Sequence, residues 1–179
     1  MIVVETLLRE IFSQIPDVVY TDVNRGENSL KVNFSWGSEK DLIAYLKSLQ
    51  GNKYPLIWLV QGNRQSDSLY TGKTSKRIKL IIAKNSEHKT NINPTVWDTE
   101  FVEMLNPLYD KVLKCLERSG VTKIVDGLYD TDRRANYTEE ALEDKTYTID
   151  IWNVIVFEAN VNFYEKANGE PMCIHTIKF

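Results

Sequence analysis

Two apolar runs constrain the fold of this chain more than any other feature: Tyr54-Pro55-Leu56-Ile57-Trp58-Leu59-Val60 and Lys76-Arg77-Ile78-Lys79-Leu80-Ile81-Ile82-Ala83. A short, near-continuous apolar run belongs in a strand covered on both faces, because neither parity of its side chains tolerates water. Pro55 fits at the start of such a strand, where a missing backbone donor does little harm. The polar excursion Gln61–Ser75 joins the two runs and contains Gly62 and Gly72, which predicts a long hairpin or extended arm rising from a sheet.

The rest of the chain supplies the partners this sheet needs. Val4, Leu7, Leu8, Ile11, Phe12 and Ile15 follow helical spacing until Pro16 ends the pattern. Val18–Val23 and Leu30–Trp36 bracket the turn-rich Asn24–Asn28 and predict two modest strands. Ser38 with Asp41 three places on reads as a helix start, followed by Leu42, Ile43, Leu46 and Leu49 before Gly51. Asp98 or Thr99 is expected to cap a short helix carrying Phe101 and Leu105, which Asn106-Pro107 restarts or kinks. Leu108, Val112, Cys115 and Leu116 form the next apolar stripe, closed by Ser119-Gly120.

Val121–Val125 reads as a short strand and the charged Asp126–Thr146 as a solvated loop or a surface for another subunit. From Tyr147 to Tyr164, Ile149, Ile151, Ile155, Phe157, Ala159, Val161 and Phe163 share one parity, while Glu158, Asn160 and Asn162 share the other. That alternation predicts a strand with one buried and one wet face. Asn168-Gly169 is a hairpin signal that returns Met172–Phe179 as a last antiparallel strand. The expected class is α+β: a mostly antiparallel sheet packed by two to three helices, with a protruding β-hairpin arm, in one domain spanning 1–179.

Charge and composition narrow the function. A net charge of -3 gives no global drive toward nucleic acid, so any such contact has to be local. Cys115 and Cys173 lie far apart and read as buried free thiols, not a disulfide framework. No run reaches the ~18 apolar residues of a membrane helix, and Met1-Ile2-Val3-Val4-Glu5 lacks the basic start of a signal peptide, so a chain made and kept in the cytoplasm, or in something assembled there, is expected.

Catalytic patterns fail one by one. Gly72-Lys73-Thr74 resembles the tail of a phosphate-binding loop, yet Asp67 stands where the first glycine belongs and a strand follows instead of a helix. Glu87-His88-Lys89 is the one element compatible with the alternative function, a small metal-dependent nuclease or other DNA-processing enzyme, but no second carboxylate has a fixed relation to it. His88 and His175 have no ligand cluster around them. Asp130, Asp132, Glu139, Glu140, Glu143 and Asp144 lack calcium-loop spacing. No catalytic, metal or cofactor site is expected.

The segment Lys73–Lys89 carries Lys73, Lys76, Arg77, Lys79, Lys84 and Lys89 against the single acid Glu87, and without interleaved aromatics it favours an acidic neighbour over stacked bases. The expected contact arm is Arg64, Tyr70, Lys73, Lys76 and Arg77; the complementary acidic patch is Glu139, Glu140, Glu143 and Asp144. Contact between unlike patches closes a ring.

The order of elements, together with Lys53-Tyr54-Pro55-Leu56-Ile57-Trp58-Leu59-Val60, Asn106-Pro107-Leu108-Tyr109 opening a helix, and Asp150-Ile151-Trp152-Asn153-Val154-Ile155 leading into a long strand, resembles the neck and tail-completion proteins of tailed bacteriophages. The likeness is strongest to tail-terminator and head–tail connector ring proteins, as in crAss-like phages. The charged Asp126–Thr146 departs from that pattern. The resemblance implies a non-catalytic virion protein, made in the host cytoplasm. It would form a homo-oligomeric ring of six or twelve copies between portal and tail. Its arm, Gln61–Arg77, would reach the adjacent subunit, with portal, neck or tail proteins as neighbours and DNA passing through the channel without specific binding.

Overall fold

The computed structural model describes residues 3–22, 26–48, 53–62, 64–68, 71–86, 97–135, 137, 151–164 and 174–179. Helix α1 (Val4–Phe12) is followed by strands β1 (Val18–Asp22), β2 (Gly26–Leu30) and β3 (Asn33–Gly37), then by α2 (Glu39–Ser48), β4 (Leu56–Val60), β5 (Gln65–Ser68) and β6 (Lys73–Ser86). A π-helical segment (Asp98–Leu105) runs into α3 (Asn106–Arg118), and β7 (Thr122–Arg134) and β8 (Ile151–Tyr164) complete the elements.

The expected class holds: an α+β fold whose mostly antiparallel sheet is packed by helices. Six strands form the main sheet in the order β3-β4-β6-β8-β7, with β5 beside the first part of β6. β6 and β8 are the spine, paired from Lys73↔Tyr164 to Ser86↔Ile151. β4 and β5 lie in line along the other edge of β6, Leu56 opposite Ala83 and Gln65 opposite Lys76. The expected hairpin is therefore present as β5–β6, and β8 backs its second strand to the tip.

The apolar runs behave as their composition requires. Ile57, Leu59, Ile78, Leu80 and Ile82 face α1, the π-helical segment and α3 in the larger core, with Ile155, Phe157, Val161 and Phe163 from β8. Leu56, Trp58, Ile81 and Ala83 face the opposite way, into a smaller core with Leu42 of α2, Tyr54 and Tyr137. Helix α1 buries Val4, Leu8, Ile11 and Phe12, each contributing about 1.5–3 kcal/mol on leaving water.

Several expectations need correction. The predicted strand Leu30–Trp36 is two: β2 pairs with β1 in a separate hairpin, and β3 joins the main sheet parallel to β4, with α2 as the crossover. Asn106 does not cap a new helix; its backbone is helical (φ -65°, ψ -46°), and the π-helical segment continues into α3. The widened turn lies just before Pro107, which lacks the N–H an α ladder needs.

The charged stretch from Asp126 is no loop as far as Arg134. It is the second half of β7, paired from Tyr129↔Ala159 to Arg134↔Val154 beyond a bulge. An edge strand exposes one face and one edge to water, so charge suits it. The even parity of β8 is not uniformly wet: Trp152, Val154 and Val156 are buried in the smaller core, and only the part from Glu158 onward is polar. Residues 174–179 form no strand; they pass along the ends of α1 and α3, where His175 N–H donates to the Ser119 carbonyl and Ile177 N–H to Gln14 Oε1, each at 2.9 Å.

Candidate subunit-contact surface

The β5–β6 hairpin is fixed by polar contacts close to its turn. Thr74 Oγ1 donates to Asp67 Oδ1 at 2.5 Å across the strand pair, and Gln65 Nε2 donates to the same oxygen at 3.0 Å. These hydrogen bonds, Thr74 first, hold the Asp67 carboxyl below its ordinary range.

Strand parity then sorts the predicted contact residues. Lys76, expected to reach a neighbouring subunit, is corrected: even-numbered side chains of β6 point toward α1, and Lys76 Nζ meets Glu5 Oε1 at 2.9 Å with its side chain 8% exposed. Odd-numbered residues point to the opposite face. Arg77 is exposed there and pairs with Glu158 at 2.8 Å. Lys73 is half-buried at the start of β6 and Arg64 is exposed just before β5; neither has a partner among the described residues. Tyr70, Glu139, Glu140, Glu143 and Asp144 lie outside the described residues, as do Glu87, His88, Lys89 and Cys173.

Between the hairpin and the β7 bulge, this face forms a groove of about 400 Å³ lined by Arg64, Lys73, Ser75, Arg77, Asn160 and Asn162. Ser75 Oγ donates to Asn162 Oδ1 at 2.7 Å, which occupies the amide's acceptor. Farther along the same face a second hollow of about 260 Å³ is lined by Lys79, Asp130, Asp132, Arg134 and Glu158. One sheet face thus runs from a cationic end to an end of mixed charge, where Arg134 pairs with Asp132 at 2.6 Å.

Sequence reasoning missed Asp130 and Asp132 as part of an organised surface, because it placed them in a loop. It also missed the buried Glu100, which accepts from Asn153 Nδ2 and lies 3.9 Å from Lys84 Nζ. The cross-strand pair Lys84↔Asn153 creates that polar contact, and no linear spacing announces it. Cys115 is buried as expected, and desolvation pushes its thiol up to about 12. Among the described residues, no three His, Cys, Asp or Glu side chains gather as metal ligands, and no helix is long and apolar enough to cross a membrane.

The sequence matches no protein-family model and no curated protein.

Proposed function

We propose that this chain is a non-catalytic structural ring subunit of a tailed-phage neck or tail, assembled in six or twelve copies between portal and tail. The observation that carries the reading is the unlike character of the two lateral sides of one sheet, cations without a partner among the described residues at one and a strand bearing exposed carboxylates among its charges at the other. On one side β5 pairs only with β6 among the described residues, and Arg64 and Lys73 stand beside it without partners. On the other side, β7 presents exposed Asp130 and Asp132, the latter paired with Arg134 at 2.6 Å. Unlike sides that attract one another favour head-to-tail association, which closes into a ring when the rotation allows.

In this reading the hairpin holds one subunit to the next through Arg64, Tyr70, Lys73 and Arg77, with Glu139, Glu140, Glu143 and Asp144 as further carboxylates for the contact. Lys76 is reassigned to the interior. The resemblance of the element order to tail-terminator and connector proteins supplies the virion context. Co-expression with the portal and tail proteins of the same phage, followed by electron microscopy of the purified particle, tests it. A ring at the portal–tail junction is expected; a chain that never joins the particle would refute the proposal.

A further inference from the structure

The groove beside the hairpin is built for hydrogen-bond acceptors. Its floor comes from two paired strands in register, Ser75 opposite Asn162 and Arg77 opposite Asn160. Same-face residues on a strand recur at roughly 6.6–6.8 Å, so Lys73, Ser75 and Arg77 set a regular ladder along it. Because Ser75 occupies the oxygen of Asn162, that residue offers its amide N–H groups to an incoming ligand. Arg77 is engaged by Glu158, which leaves Arg64 and Lys73 as the cations without a partner among the described residues.

The spacing matches carboxylates at alternate positions of an extended polypeptide. A continuous polyanion fits less well, because the same face leads into a hollow where Glu158, Asp130 and Asp132 outnumber Lys79 and Arg134, with Asp132 paired to Arg134 and Glu158 to Arg77, so the next phosphates of a nucleic-acid strand would meet no excess of cations. Among the described residues, the groove has no aromatic side chain in its lining on which a base could stack.

We infer that this groove docks an extended acidic polypeptide segment of a partner protein, its carboxylates received by Arg64 and Lys73 above the Asn160 and Asn162 amides. The inference deepens the reading of the hairpin as a contact surface and rests on it for the partner's identity as a protein. The segment lies along β6, and the loss of unpaired cations beyond Arg77 among the described residues selects a partner whose acidic stretch is short.

Fluorescence anisotropy with the full chain and fluorescein-labelled octaglutamate at near-physiological salt tests this, beside a single-stranded DNA octamer. Octaglutamate is expected to bind more tightly than the DNA. Arg64→Glu with Lys73→Glu should weaken that binding by roughly tenfold or more. Lys178→Glu, an exposed change away from the groove, should leave it unaltered; circular dichroism melts check that each variant folds. No binding, binding indifferent to the double substitution, or tighter binding of DNA overturns the docking site. Mass photometry on the same samples separates the two claims. Rings in the wild type together with peptide binding that is absent or indifferent to the double substitution keep the ring and remove the groove. Peptide binding by a wild type that never assembles keeps the groove and removes the ring.

Discussion

Lys76 Nζ and Glu5 Oε1 meet at 2.9 Å beneath the base of the hairpin, joining β6 to the first turn of α1. The lysine is nearly covered and the glutamate side chain is 16% exposed, so neither charge is fully hydrated. Removing one partner leaves the other poorly solvated. Because Glu5 keeps some water, Lys76→Ala should cost about 1–3 kcal/mol, less than the loss expected for a wholly buried pair. The double change Glu5→Leu with Lys76→Met should recover most of it; urea denaturation midpoints check both.

The same pair sets a pH dependence. Burial raises the Glu5 pKa, but the hydrogen bond from Lys76, a backbone hydrogen bond and the lysine charge together outweigh it and leave the carboxyl below its ordinary 4.5. A depressed folded value means stability that is present above 4.5 and lost as pH falls through that lowered value. Glu5→Gln should flatten the acid limb of the stability curve, read as thermal midpoints between pH 7 and pH 3.

Ser38 and Asp41 close the start of α2 reciprocally. Asp41 N–H donates to Ser38 Oγ at 3.2 Å and Ser38 N–H to Asp41 Oδ2 at 2.8 Å. Ser38→Ala removes the hydroxyl and should destabilise by about 1 kcal/mol, whereas Ser38→Thr keeps the hydroxyl and should lose only a small part of that. Chemical denaturation measures the difference.

How much of this was legible in the sequence follows from the range of the forces involved. The cap at Ser38, the stripe of α1 and the two-faced burial of Leu56–Leu59 depend on neighbours a few positions away, and they appear as read. The extent of β7 depends on pairing with β8, which supplies hydrogen bonds to a segment whose own composition is that of a loop. Linear charge shows no parity relative to α1, so in the sequence Lys76 reads like the outward cations around it. Glu100 gave no signal at all, since Asn153 meets it only through the fold.

Gly120 has φ +76°, and a Cβ there would come within 2.7 Å of the His175 ring. Gly120→Ala should therefore lose about 1–2 kcal/mol from the left-handed backbone alone, plus a steric part. His175→Ala in that background should return the steric part only. A double-mutant cycle by thermal denaturation resolves the two.

Cys115 should be unreactive while the chain is folded, because burial holds its thiol near 12 and the thiolate is the nucleophile. In a Cys173→Ser background, iodoacetamide at pH 8 is expected to label Cys115 only at the rate of unfolding. Labelling within minutes under native conditions, read by mass spectrometry, would contradict the buried placement.

The claim that most needs testing is self-assembly into a ring. Mass photometry of the purified chain, alone and with portal and tail proteins, reads it directly. The account predicts a species at about 124 or about 248 kDa, six or twelve times the 20.7 kDa chain, and its loss in Arg64→Glu with Lys73→Glu. A particle that remains at 20.7 kDa at every concentration and with every neighbour would contradict it.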